Sequence, residues 1–293
     1  MIIGDPMKKG RILLFIILFF LGFYFSFKTI EEKSIHNNEQ IIEYVIHNSF
    51  ENKTLVEQIL PTVEWKKSIY LLKEDYKTSI KEEKVEDISP TIYLYNSHPT
   101  EEYTPETIGE YSLNPTVIMN NYILEDILNK NGYKAYVEEE SVKDILNKNN
   151  WNYASSYKAS RLLLEKRKHE YPTLKYFIDI HRDSISKDKT TIEIEGRSYA
   201  KLLFIIGLEN NHYQDNLLFT EKIVEKINNK YPNLCKGIYK KEGQGVNGVY
   251  NQDFSPYTIL IEVGGYENTT VEVLNSSIAF ANSFLEVLHE EAD

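Results

Sequence analysis

Four residues beyond position 90 combine reactive side chains with suggestive spacing. His98 and Glu101 stand three apart in His98-Pro99-Thr100-Glu101, His181 directly follows the apolar run KYFIDI (175–180), and Glu262 ends YTILIE (257–262). An HxxE on a tight loop can aim an imidazole nitrogen and a carboxylate oxygen at one point, and a histidine from a neighbouring strand supplies a third donor. Two histidines and one carboxylate, with water in the fourth position, form a catalytic zinc arrangement. A metal held in this way makes its water a nucleophile near neutral pH and polarises a carbonyl. Glu262 then has the role of general base and later proton donor. Ending a strongly apolar strand, its carboxylate must be paired or coordinated if buried. A histidine after a strand is by itself more often a hydrogen-bonded surface or capping residue than a ligand, and it is the conjunction of these residues at one edge that points to a site. His212, six residues beyond KLLFII (201–206), is a reserve ligand. Ser184, in HRDS, invites a Ser-His-Asp reading, but residues adjacent in sequence do not generally reach triad geometry. With Cys235 the single cysteine, neither an internal disulfide nor a Cys-rich zinc site can form.

The elements around these residues alternate. TIYLYN (91–96) reads as a strand, Asn114-Pro115 as the N-cap and first position of a helix that ends at Asn131-Gly132, and Tyr133 to Val137 as a second strand. A helix is expected over about 153–169, strands at 175–180 and 257–262, and helices over about 215–229 and 271–290. Thr191 to Glu195 is expected to pair with KLLFII. Strands alternating with long helices predict an α/β fold whose mostly parallel sheet carries helices on both faces. Ligands of such sheets bind outside the carboxyl ends of the strands, where His98, His181 and Glu262 fall. The flanking loops 99–113 and 243–256 are polar and contain Gly or Asn, which suits an accessible groove.

The 293 residues are 42% hydrophobic and 26% charged, enough to bury a sizeable core. With 33 basic against 44 acidic residues the net charge is -11, so no broad cationic footprint for nucleic acid is available and none is expected as a partner. The basic residues Lys8, Lys9 and Arg11 precede an uncharged stretch, Ile12 to Phe27 (ILLFIILFFLGFYFSF). Tilt or local thinning lets such a stretch cross a bilayer, no small-x-small cleavage site follows it, and the basic flank places the N-terminus in the cytoplasm. The expected organisation is an N-terminal transmembrane anchor over 1–30, a stalk or small helical subdomain over 31–88, and a catalytic domain over 89–293. That domain is expected on the extracytoplasmic side of the cell membrane, held there by a single pass.

Several blocks resemble the stage II sporulation protein P family, cell-wall amidases of endospore-forming bacteria. They are YLYNSHPTEEYTP around His98, FIDIHRDS around His181, YPNLCKGIYKK at 231–241, and YNQDFSPYTILIEVGGYENT at 250–269. The resemblance covers about residues 90–290 and implies a fold like that of zinc N-acetylmuramoyl-L-alanine amidases and, more distantly, zinc carboxypeptidases. It implies His98, Glu101 and His181 as Zn2+ ligands and Glu262 as the catalytic acid/base. Related amidases take their Glu ligand from a helix start, so Glu102 and Glu110 stand as alternatives to Glu101. The implied activity is cleavage of the amide between N-acetylmuramic acid and L-Ala of the peptidoglycan stem peptide, together with cleavage of peptide cross-links, in engulfment during sporulation. The implied partner is the stage II sporulation protein D transglycosylase. Arg182 is a candidate for a stem-peptide carboxylate, and Asn251 or Gln252 for glycan or peptide backbone. The competing readings are a zinc carboxypeptidase acting on stem peptides and a non-catalytic wall-binding module.

Overall fold

The apolar runs beyond residue 90 become a six-stranded sheet in the structure, a computed structural model describing residues 89–108 and 111–291. Strand β1 (Ile92–Tyr95) is followed by a small hairpin, β2 (Glu106–Ile108) and β3 (Tyr111–Leu113), then helix α1 (Ile118–Lys130), β4 (Ala135–Val137) and helices α2 (Val142–Lys148) and α3 (Ser156–Glu170). Next come β5 (Tyr176–Asp183), the short α4 (Lys187–Thr190), the hairpin β6 (Thr191–Ile194) and β7 (Arg197–Ala200), and β8 (Leu202–Gly207). Helix α5 (Tyr213–Lys230), β9 (Cys235–Lys241), β10 (Thr258–Gly265) and α6 (Thr270–Glu290) complete it. The expected anchor at 12–27 and stalk at 31–88 lie outside the described residues. Among the described residues no helix is long and apolar enough to cross a membrane.

The sheet order is β4-β1-β5-β10-β8-β9. Neighbours are parallel except β10 and β8, which run antiparallel, so the sheet is mostly parallel and the carboxyl ends of β1, β5 and β10 share one edge. Because strand side chains alternate, each strand serves both faces. Ile92, Leu94, Ile178, Ile180, Ile259 and Ile261 pack on the first face with Leu124 and Leu128 of α1, Ile223 and Ile227 of α5, and Phe280 and Phe284 of α6. Tyr93, Tyr95 and Phe177 pack on the second with Leu164 of α3, and α3 in turn holds α2 through Ala159 and Leu163 against Val142 and Leu146. Two residues on from Phe177, and again two on, come Asp179 and His181. Two on from Leu260 comes Glu262. All three therefore project from the second face.

Two expectations need correction. Thr191 to Ile194 pairs with Arg197–Ala200 and not with the following run, because Glu195 and Gly196, both at positive φ, form a two-residue hairpin turn. That frees Leu202–Gly207, buried throughout, for the sheet centre. Helix α1 begins at Ile118, three residues after Pro115, since the backbone in between is taken by the loop carrying Glu101: Tyr103 N donates to Pro115 O at 2.8 Å and Val117 N to Glu101 O at 3.0 Å. Helix α2 and strand β9 were not anticipated. Helix α2 does carry a local start signal, Ser141, whose hydroxyl accepts from Asp144 N at 3.1 Å.

Candidate metal centre

The loop leaving β1 is fixed before it reaches His98. Asn96 Nδ2 donates to Ile180 O at 2.6 Å, and Asn121 Nδ2 of α1 donates to Asn96 Oδ1 at 2.7 Å, so the end of β1 is tied to β5 and to a helix. The chain then turns tightly, with Glu101 N donating to His98 O at 3.2 Å, which brings the two side chains of the HxxE pattern to one side. Beyond the turn, Tyr103 is buried and its hydroxyl donates to Val263 O of β10 at 2.9 Å. That hydroxyl accepts from Asn120 Nδ2 at 3.1 Å, while Asn120 Oδ1 accepts from Ser277 of α6 at 2.7 Å. A loop that presents ligands is thus anchored at both ends by buried, paired polar groups.

His98, Glu101 and His181 meet at this edge. His98 Nδ1 lies 3.6 Å from Glu101 Oε1 and His181 Nδ1 3.5 Å from Glu101 Oε2. One donor atom from each residue falls within 4.8 Å of the others. The imidazoles of His98 and His181 are nearly perpendicular, with centroids 5.1 Å apart. Tyr153 stacks on His98 at 4.9 Å and Tyr157 meets it edge-on at 5.2 Å, which restrains the more exposed of the two rings. Arg182 N donates to Glu101 Oε2 at 2.9 Å, and Arg182 Nε to Glu102 O at 2.7 Å, fastening the loop to β5.

Charge favours a cation here. Burial and the neighbouring His181 hold His98 below its ordinary pKa, so at neutral pH it offers lone pairs. Burial alone would raise Glu101, but the hydrogen bond and charge of His181, the Arg182 amide and His98 outweigh it and keep the carboxyl ionised. His181 is 3% exposed; burial opposes charge on it, yet Asp179 and Glu101 raise its pKa well above the ordinary value. Two carboxylates converging on one buried imidazole suit either a proton or a metal ion between them. Two imidazoles and one carboxylate within reach of a common point are a donor set that fits zinc and leaves a coordination position open.

Glu262 stands opposite His181 in the parallel register of β10 and β5. The residue is half-buried, its Oε2 is sealed from solvent without a hydrogen-bond partner, and burial, opposed by His181 and reinforced by Glu101, pushes its carboxyl up to about 7. A β-bulge follows it directly: Gly264 has φ +68°, and a Cβ there would meet Asn268 Oδ1 at 2.6 Å and Ala200 Cβ at 2.8 Å.

Other sequence candidates are placed elsewhere. Asn251 is buried, its backbone left-handed, and its amide donates to Tyr157 O and Ser160 Oγ, both at 3.0 Å. Gln252 is fully buried, accepting from Gly207 N and donating to Ile205 O. These bonds tie the loop to α3 and β8. His212 follows β8, whose antiparallel course carries it to the far edge of the sheet, where it faces Asp215 at 3.8 Å. Glu102 contributes its backbone, bridging to Thr116, and is not among the three grouped donors. Glu110 lies outside the described residues. Asp179 and Ser97, both buried against His181, were not singled out from the sequence; the available signal was a carboxylate two residues before a histidine in the same apolar strand.

A family model described as stage II sporulation protein P matches residues 22–285. The chain belongs to the stage II sporulation protein P family. A stage II sporulation protein P of Bacillus subtilis (strain 168) is 33% identical over 202 residues, which is 67% of this chain and 50% of the relative. The chain thus spans half the length of that curated family member. Among solved structures, it is similar to an N-acetylmuramoyl-L-alanine amidase of Nostoc punctiforme, with 12% identity, a TM-score of 0.40 and coverage of 68% of this chain and 97% of that one. It is similar as well to the CwlD amidase from Clostridioides difficile, solved in complex with the GerS lipoprotein, with 16% identity, a TM-score of 0.44 and coverage of 68% and 98%.

Proposed function

We propose that residues 89–293 form a zinc-dependent peptidoglycan hydrolase that cleaves the amide between N-acetylmuramic acid and the L-Ala of the stem peptide during sporulation. The observation that carries this reading is the convergence of His98, Glu101 and His181 at the carboxyl edge of the sheet, with the buried carboxyl of Glu262 opposite His181. Family membership supports the biological setting. His98, Glu101 and His181 would hold the metal, which supplies an activated water and polarises the amide carbonyl. Glu262 would accept a proton from the attacking water on a carboxylate oxygen and later deliver it to the departing amide nitrogen, a role suited to a carboxyl with a pKa near neutrality. The Arg182 guanidinium is engaged by the carbonyls of Glu102 and Asp183, which disfavours a carboxypeptidase built around an arginine for a terminal carboxylate.

The same proposal assigns residues 1–30 as the membrane anchor, 31–88 as a stalk, and the extracytoplasmic face as the place of action. Peptidoglycan is the substrate, cross-link cleavage a second activity, and stage II sporulation protein D the partner taken from the family resemblance. Mass spectrometry of sacculi digested by the purified protein tests the bond choice. Free stem peptides and unsubstituted glycan strands are expected, and chelator should stop their release. Single D-Ala residues as the only product would replace the amidase reading with the carboxypeptidase one, and digests unchanged by the protein would favour a wall-binding module.

A further inference from the structure

We propose that Asp179, together with Ser97, is a positioning pair that fixes the His181 tautomer, keeping its proton on Nε2 and presenting Nδ1 to the metal. The inference rests on the zinc reading given above and assigns a role to residues outside the ligand set. Asp179 and Ser97 are both fully buried on the second face of the sheet. Asp179 Oδ1 accepts from Ser97 N at 2.8 Å, and Oδ2 accepts from Ser97 Oγ at 2.8 Å. Asp179 Oδ1 lies 3.0 Å from His181 Nε2, and Ser97 Oγ lies at the same distance from that nitrogen.

The tautomer follows from what these atoms can do. An ionised carboxylate only accepts hydrogen bonds, and Ser97 Oγ has a single proton, which it gives to Oδ2. Both neighbours of His181 Nε2 are therefore acceptors, so Nε2 carries hydrogen. A neutral imidazole has one N–H, which leaves a lone pair on Nδ1. Nδ1 is the nitrogen that faces Glu101 Oε2 at 3.5 Å, on the side where His98 also converges. Either a proton or a metal ion fills the space between Nδ1 and Glu101 Oε2, and when zinc takes that place the clamp on Nε2 leaves Nδ1 as the donor. Ser97 immediately precedes His98, so the same pair ties the His98-bearing loop after β1 to β5, which carries His181.

Metal-binding histidines are commonly held in this way through their second nitrogen, and loss of such a partner typically costs 10- to 100-fold in metal affinity. The test is zinc competition titration of the full-length protein against a chelating dye, combined with 15N NMR of the histidine ring nitrogens. Asp179→Asn should bind zinc about 10- to 100-fold more weakly than wild type. In zinc-loaded wild type His181 should carry its proton on Nε2, and the 15N shift of that nitrogen should change in folded Asp179→Asn, a readout that a merely structural role for Asp179 would not move. Ser97→Ala, which keeps the carboxylate, should lower affinity less, and it serves as the deciding variant if Asp179→Asn does not fold. Unchanged zinc affinity in the folded variants, or a His181 proton on Nδ1, overturns the positioning role while leaving the metal site standing. A wild-type protein that binds no zinc overturns the metal reading and this inference with it.

Discussion

Glu262 and His181 face the same second side of the sheet from adjacent strands and are perturbed in the same upward direction for opposite reasons. Burial raises Glu262 because it disfavours a negative charge, whereas the flanking carboxylates raise His181 by favouring a positive one. The first suits a proton carrier, the second a place where a cation belongs. If Glu262 carries the proton and is not a ligand, Glu262→Gln should retain its zinc and its fold while lowering turnover by roughly 10²- to 10⁴-fold. Metal analysis and single-turnover assays on that variant check this, and zinc loss in it would instead make Glu262 a ligand. His181 and Glu262 stand out in the sequence because each closes an apolar strand, and His98 and Glu101 because they stand three apart on the loop just after one. Asp179 does not: inside KYFIDI it reads as one more alternation, and only the assembled sheet shows that it shares a face with His181. Asn251 shows the converse. A loop asparagine suggests solvent, but its left-handed backbone, φ 56°, accompanies a side chain bonded inward to α3.

At the scale of elements, the site depends on how the loop after β1 is held. Tyr103 joins this loop to β10 through Val263 and to α1 and α6 through Asn120 and Ser277. Tyr103→Phe would leave the Val263 carbonyl and the Asn120 amide short of a partner in a buried setting, and it should cost about 1–3 kcal/mol. Denaturant unfolding monitored by circular dichroism would show this as a lowered midpoint with an unchanged slope. An unshifted midpoint would mean that the chain of hydrogen bonds contributes nothing net. Gly264→Ala should also destabilise, since Ala must adopt a positive φ and its Cβ meets Asn268 and Ala200. A thermal melt at or above wild type would remove the bulge from the account. Helix α6 starts at Thr270, one residue from where its periodicity places it, and a capping box of Thr269 with Glu272 fixes that start. The start of α1 was misplaced because Asn114-Pro115 is a sound local signal overridden by distant backbone partners, which no local pattern records.

For the molecule as a whole, the alternation of strands and helices was enough to foresee a mostly parallel sheet covered on both faces. The reversal at β8 was hidden, because it depends on the short hairpin β6–β7 returning the chain before the next strand begins. The region where that hairpin meets α6 is knit by Glu272, which is nearly buried and bonds Ser198, Asn268 and Thr269 N while pairing with Lys187 Nζ at 2.8 Å. Burial alone would raise its carboxyl, but these partners lower it below the ordinary value. A depressed folded pKa means stabilisation that is present above the unfolded value, near 4.3, and is lost as pH falls through the folded one. Wild type should therefore exceed Glu272→Gln in stability at pH 7, with the gap closing on acidification below about pH 4. An equal gap in denaturant titrations at pH 7 and pH 3 would assign the effect to packing alone. The metal centre itself is tested most directly by elemental analysis of the purified chain, as isolated and after zinc loading. About one zinc per chain is expected in wild type, with loss of binding in the His98→Ala, His181→Ala double variant. Full zinc occupancy in that double variant would contradict the account.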